Sequence, residues 1–300
     1  MTPAIPPAYD LAVAYRVYPK VSKPALSLPF GDDKPLLAET CLKSFNESIS
    51  GLRVKLWAIL DGCPPEYEEF FRKHIAADDL VVLNLDGAGN GATFARQIDI
   101  LLKQSDAEHV YFAEDDYLYL PGKFRAMLSF LRSQPDVDFI SPFDHLDCYT
   151  LSLHHSPKWL RVHDSQHWRT ASSTCLTFLT RKETLRKYEA VFRSYSRGNF
   201  DSSLWMSLTK QRVFNPLAMI TYFVQRKFYW KILAKSWFYN WAQILFGKKA
   251  KLWVPVPGIA THLDSDSLSP SVDWLSQMQR EIDAKSPNSV ELHADTSVSS

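Results

Sequence analysis

The chain has 300 residues, with 34 Lys and Arg against 33 Asp and Glu, and a formal charge of +1. So even a balance argues against a dedicated nucleic-acid binder, and 46% hydrophobic residues argue against overall disorder, because such a chain buries enough surface to offset its conformational entropy. Cys41, Cys63, Cys148 and Cys175 are scattered and form no CxxC pair, a pattern of reduced thiols rather than of a disulfide framework or zinc knuckle.

Residues 1–8 read as an N-terminal extension without the basic and apolar regions of a secretory signal. Leu11 to Val17 reads as a first buried strand, followed by a Pro-rich stretch and a helix from Pro35 to about Ser50. A second strand, Val54 to Leu60, ends in Asp61-Gly62, and a helix from Pro65 to Ala76 leads to a third strand, Leu80 to Leu85. Gly87, Gly89 and Gly91 break the chain before a helix over Thr93 to Lys103, and a fourth strand, Val110 to Ala113, ends in Glu114-Asp115-Asp116. After Pro121-Gly122 come another helix and a short strand, Phe139 to Ser141.

The second half alternates less regularly. His145 to Arg169 reads as a loop, Thr174 to Thr180 as a strand, Lys182 to Tyr195 as a helix, and Asn199 to Leu208 as a further helix opening near Asp201. Val254 to His262 reads as extended, and residues 265–300 as a tail that is disordered beyond about 286. Strands alternating with helices predict an α/β fold with a mainly parallel sheet and helices on both faces, and the length fits one large domain of this kind or two small ones. Ligands of such sheets bind beyond the carboxyl ends of the strands, which brings Asp61 and the acidic triplet to one crevice.

Three consecutive carboxylates at a strand end can do two things. They can favour the positive end of the next helix, or share a hard divalent cation that keeps positions open for phosphate and water. The neighbouring motifs decide between them. The order of strand, Asp61-Gly62, the helix start GNGATFARQ and a strand ending in EDD resembles the nucleotide-sugar-dependent glycosyltransferases of the GT-A fold, most closely the family 2-like enzymes. The resemblance implies a Rossmann-like sheet with a nucleotide-binding half over about 9–120 and an acceptor half over about 121–264. It implies Asp116 as the direct ligand of Mn²⁺ or Mg²⁺ in a DXD-like motif, with Glu114 and Asp115 contacting ribose or bridging through water. Tyr15 and Arg16 would flank the nucleotide base, Asp61 would contact its edge, and Arg96 would sit near the diphosphate or donor sugar. His262 would close the metal site, and Asp201 would be the base that takes the acceptor proton in an inverting, non-processive transfer. The partners so implied are a nucleotide-sugar donor, UDP-linked, and a glycan or lipid-linked acceptor.

Asp201 also reads as a helix cap, and His262 as a structural histidine. His163 and His167 have a spacing that suits zinc on a helix, but no supporting motif accompanies them, and Trp159 and Trp168 read instead as flat surfaces for a sugar ring. Within 228–251, Trp230, Leu233, Trp237, Trp241 and Ile244 recur at helical spacing among lysines. That segment either lies on an anionic membrane surface or packs on the domain. No run reaches the roughly 20 apolar residues of a membrane span, so the expected location is cytoplasmic, and at the membrane surface only if 228–251 binds there. Two other functions fit the same elements: a nucleotidyltransferase of similar fold, and a non-catalytic sugar-nucleotide-binding or membrane-adaptor protein.

Overall fold

A computed structural model describes residues 7–20, 29–264 and 268–283. The expected tail beyond 286 lies outside them. The first five strands are β1 (Leu11–Val17), β2 (Val54–Asp61), β3 (Leu80–Leu85), β4 (His109–Glu114) and β5 (Tyr117–Tyr119). They are followed by β6 (Phe139–Ile140), β7 (Leu160–His163), β8 (Gln166–Ala171), β9 (Phe178–Arg181), β10 (Leu252–Val256) and β11 (Ala260–His262). The helices are α1 (Lys34–Ser48), α2 (Glu66–His74), α3 (Asn90–Lys103), α4 (Phe124–Ser133) and α5 (Asp147–Thr150), then α6 (Lys182–Arg193), α7 (Asp201–Thr209), α8 (Pro216–Gln225), α9 (Lys227–Phe246) and α10 (Trp274–Asp283).

Nine strands form one sheet in the order β3-β2-β1-β4-β9-β6-β10-β8-β7, and β11 and β5 form a second. Strands β3, β2, β1 and β4 are parallel, β9 runs against both β4 and β6, and β8 runs against β10 and β7. The sheet is therefore mainly parallel on its first half and mixed on its second. Alternation along β1 feeds two cores. Leu11, Val13, Tyr15 and Val17 pack on one face with residues of α1, α2 and α4, while Ala12 and Ala14 pack on the other with residues of α3, α6 and α7. The antiparallel pairing of His262 with Tyr117 ties a late strand to the segment just after the acidic triplet, so the two expected halves share this small sheet.

Three stretches differ from the sequence expectation, the first being the tail from 265, which contains α10 with Trp274 and Met278 buried in one cluster with Leu37, Cys41 and Leu118. The supposed loop 145–169 contains α5 and a β7–β8 hairpin, whose turn residues Asp164 and Ser165 take φ values of 48° and 60°. Positive φ at both central residues is what a tight hairpin turn requires, and Asp tolerates it well. The hairpin puts His163 opposite Gln166 and His167 opposite Val162, so the two histidines never share a helical face. Trp168 is fully buried and stacks on Phe130 at 4.3 Å. It is core, not a sugar platform, whereas Trp159 is exposed. The third difference is that strand β9 begins only at Phe178, leaving 174–177 as a connecting segment above the sheet end.

Segment 228–251 packs one face on the domain. Ile232, Leu233, Ser236, Asn240 and Ile244 are buried, and Ser203 of α7 donates its hydroxyl to the Ile232 carbonyl at 2.8 Å. Among the described residues no helix is long and apolar enough to cross a membrane.

Candidate functional site

Beyond the carboxyl ends of β1, β2 and β4 lies a cleft of about 630 Å³, lined by Arg16, Tyr18, Asp61, Gly89, Asn90, Thr93, Glu114, Asp115, Asp116, Cys175, Tyr195, Asp201 and His262. Seven of the nine residues singled out from the sequence meet there. Tyr15 and Arg96 do not.

Tyr15 is fully buried between Phe45 and Phe71, with ring centroids at 5.7 and 5.4 Å. Strand alternation explains this: Tyr15 faces the core of α1 and α2, and its neighbour Arg16 faces α3 and the cleft. Arg96 is exposed on α3. The helix begins at Asn90, so Thr93 and Gln97 point inward while Arg96 points away. Gln97 donates to the carbonyls of Ala14 at 2.7 Å and Ala113 at 3.1 Å, joining α3 to two strands. The cleft's guanidinium is that of Arg16.

The three carboxylates of the EDD triplet have different partners. Glu114 is ion-paired to Arg16 and accepts from the Thr177 hydroxyl at 2.8 Å. Asp115 is paired to Lys34 at 2.8 Å and accepts from the Tyr18 amide at 3.1 Å. Among the described residues the Asp116 side chain pairs with His262, with Oδ2 to Nε2 at 3.1 Å, and its buried Oδ1 has no hydrogen-bond partner. Burial would raise the Asp116 pKa, but His262, Lys34 and Arg16 together hold it well below the usual carboxylate range. Burial likewise disfavours charge on His262, yet the Asp116 carboxylate holds its pKa up at about 9.

Lys34, the first residue of α1, had no signal in the sequence: its partner lies 81 positions away, beyond any helical or strand period. With both side chains under 10% exposed, Lys34→Met is expected to strand a buried charge and cost about 3–5 kcal/mol. A fall in the denaturation midpoint would show it, and Asp115→Asn in the same background should recover part of the loss.

Asp61 holds the glycine loop. Its two oxygens accept from the Ala88 amide at 2.6 Å and the Gly89 amide at 2.8 Å. Gly89 has φ +83°, a conformation that side-chain-bearing residues rarely adopt, and its carbonyl accepts from the Thr93 amide to start α3. The result is a helix N-terminus opening on the cleft, where amides and the helix dipole favour negative charge. Asn90 and Arg16 lie together there, with Nη1 to the Asn90 carbonyl at 3.2 Å.

Asp201 is the first residue of α7, after the non-capping Phe200. Its Oδ1 accepts from the Ser202 amide at 2.6 Å and the Ser202 hydroxyl at 3.2 Å, so it does not form the cap read from the sequence. Burial raises the Asp201 pKa, Ser202 opposes that, and the negative charge of Glu114 adds to it.

The residues suit a divalent cation. Among the described residues no three His, Cys, Asp or Glu are grouped to hold an ion by themselves. Among the described residues Asp116 Oδ1 is nonetheless a buried acceptor with no donor, and His262, charged while it pairs with Asp116, would offer its imidazole to an ion on giving up its proton. A carboxylate with the remaining positions left to substrate oxygens and water suits Mg²⁺ or Mn²⁺, and an imidazole is an acceptable ligand for Mn²⁺, less favoured than oxygen.

No protein-family model matches the chain, and no curated protein does. Among solved structures it is similar to galactosyltransferase LgtC in complex with donor and acceptor sugar analogs, at 8% identity and TM-score 0.45, covering 92% of this chain and 95% of that one. It is also similar to 4-diphosphocytidyl-2C-methyl-D-erythritol synthase from Anaerococcus prevotii, at 8% identity and TM-score 0.40, covering 67% and 85%. A third is mannosyltransferase PcManGT from Pyrobaculum calidifontis with GDP-Man and Mn²⁺, at 14% identity and TM-score 0.38, covering 70% and 53%. The chain's own strand order, with a reversed β9 beside β4 and a small β5–β11 sheet, makes the α/β arrangement with a mainly parallel first half that the sequence predicted.

Proposed function

We propose that the chain is an enzyme, a glycosyltransferase that moves a sugar from a nucleoside-diphosphate donor, UDP-linked, to a hydroxyl of a glycan or lipid-linked acceptor. The observation that carries this reading is the asymmetry of the acidic triplet. Glu114 and Asp115 are neutralised by Arg16 and Lys34, and Asp116 keeps a buried, unpartnered oxygen beside His262.

Asp116 and His262 would hold the Mn²⁺ or Mg²⁺. When bound, the ion supplies Lewis acidity at the leaving phosphate oxygens. The first turn of α3 offers its amides and the positive end of its dipole to the donor's diphosphate, with the Arg16–Glu114 pair beside it. Asp201, across the same cleft, takes the proton of the acceptor hydroxyl as its oxygen bonds to the anomeric carbon. The bond from that carbon to the phosphate oxygen breaks, and the nucleoside diphosphate leaves with the electron pair. Attack opposite the leaving group inverts the anomeric centre, and each encounter transfers one sugar.

The test is product analysis across a panel of nucleotide sugars with Mn²⁺. A nucleoside diphosphate as product supports the proposal. Pyrophosphate would replace it with nucleotidyl transfer, and no turnover of any donor, with binding retained, would leave a non-catalytic sugar-nucleotide-binding protein.

A further inference from the structure

The outward side of α8 is an apolar surface that the described residues leave uncovered. Only Tyr222 of its ten residues is buried, while Leu217, Ile220 and Val224 are 72%, 64% and 71% exposed. Their spacing of three and four puts them on one side of the helix. The helix starts firmly, with Pro216 in its first turn and the Asn215 side chain accepting from the Ala218 amide at 2.9 Å. So regular a helix with so little buried surface is not explained by packing on the domain.

Charge surrounds this patch. Helix α8 has no charged residue, but Arg226 and Lys227 follow it directly and Lys231 lies one turn further, all three exposed. The wider sequence is equally one-sided. Nine of the chain's 34 Lys and Arg fall between Asp201 and Asp264, and no Asp or Glu does. The chain as a whole is nearly neutral, so this region is basic and the remainder acidic.

We propose that α8 and the start of α9 dock on the surface of a bilayer containing anionic lipid. Leu217, Ile220 and Val224 enter the boundary of the acyl chains, and Arg226, Lys227 and Lys231 meet the headgroup charge. A second copy of the chain is the weaker occupant, because a two-fold contact would bring one basic face against another. The contact is centred on α8 and shares only Lys231 with the segment 228–251, whose buried face lies on the domain. It stands independently of the transferase reading.

The experiment is co-sedimentation of the full chain with vesicles of phosphatidylcholine alone and of phosphatidylcholine with phosphatidylserine. Binding is expected to the anionic vesicles only, and to weaken as salt is added. Ile220→Ser should lower partitioning about tenfold, and Lys227→Gln and Lys231→Gln about fivefold each. All three side chains are exposed, so the denaturation midpoint should stay unchanged. Absence of binding to anionic vesicles, or equal binding to both kinds, would overturn the proposal. So would a concentration-dependent dimer that Ile220→Ser dissociates.

Discussion

Asp116→Asn is expected to abolish metal-dependent donor binding and to lower turnover by about 10³-fold or more, the scale of several kcal/mol of lost Lewis-acid stabilisation. The amide keeps the size and shape of the side chain while removing the charge that attracts a cation. Loss should therefore appear in binding as well as in rate, since the same oxygen serves both. His262→Ala leaves the carboxylate in place and should weaken metal dependence less severely. Calorimetric titration of donor with and without Mn²⁺, beside turnover, checks both variants. Circular dichroism separates a site effect from loss of fold.

Asp201→Asn should leave donor binding nearly intact and lower transfer by about 10²–10⁴-fold, the usual contribution of a positioned base. Its effect on stability should run the other way. Burial and Glu114 raise the Asp201 pKa in the folded chain, so the fold favours the protonated form, and ionisation of Asp201 as pH rises costs stability. At neutral pH the uncharged amide should thus hold or raise the melting temperature relative to the wild type. The difference should shrink as pH falls below the folded pKa and the wild-type carboxyl is protonated. Over the same range wild-type transfer should rise with pH as the base ionises. Near-wild-type transfer by Asp201→Asn would remove Asp201 from the mechanism. Asp144 would be a poor replacement, because it is tied to Arg169 and to the Tyr149 hydroxyl. Asp164 is committed to the hairpin turn and Ser129.

What the sequence made legible was local and periodic. The strands through β4 and the helices between them follow from hydrophobic runs broken by Gly, Pro and Asp, and the structure places them within a few residues of expectation. From the parallel pairing of β1, β2 and β4 it follows that Asp61 and the triplet reach one end of the sheet. The errors came where side-chain direction or distant pairing decided the outcome. Tyr15 and Arg16 are adjacent in sequence but face opposite sides of β1, and which side held the cleft depended on where α3 packed. Arg96 missed the cleft because α3 starts at Asn90, which fixes the phase of the whole helix. The hairpin at 160–171 was hidden by its polar and charged residues, and its turn was set by backbone conformations at Asp164 and Ser165. The Lys34–Asp115 pair joins a helix start to a strand end and leaves no local pattern to read.

The most direct test of the account is the affinity of the wild-type chain for a nucleoside diphosphate, measured with Mn²⁺ and again with a chelator. The unpartnered oxygen of Asp116, with His262 beside it, predicts binding at least about tenfold tighter with the ion, the equivalent of about 1.4 kcal/mol, and loss of that gain in Asp116→Asn. Equal affinity in both conditions would contradict the assignment of Asp116 and His262 as the cation's protein ligands.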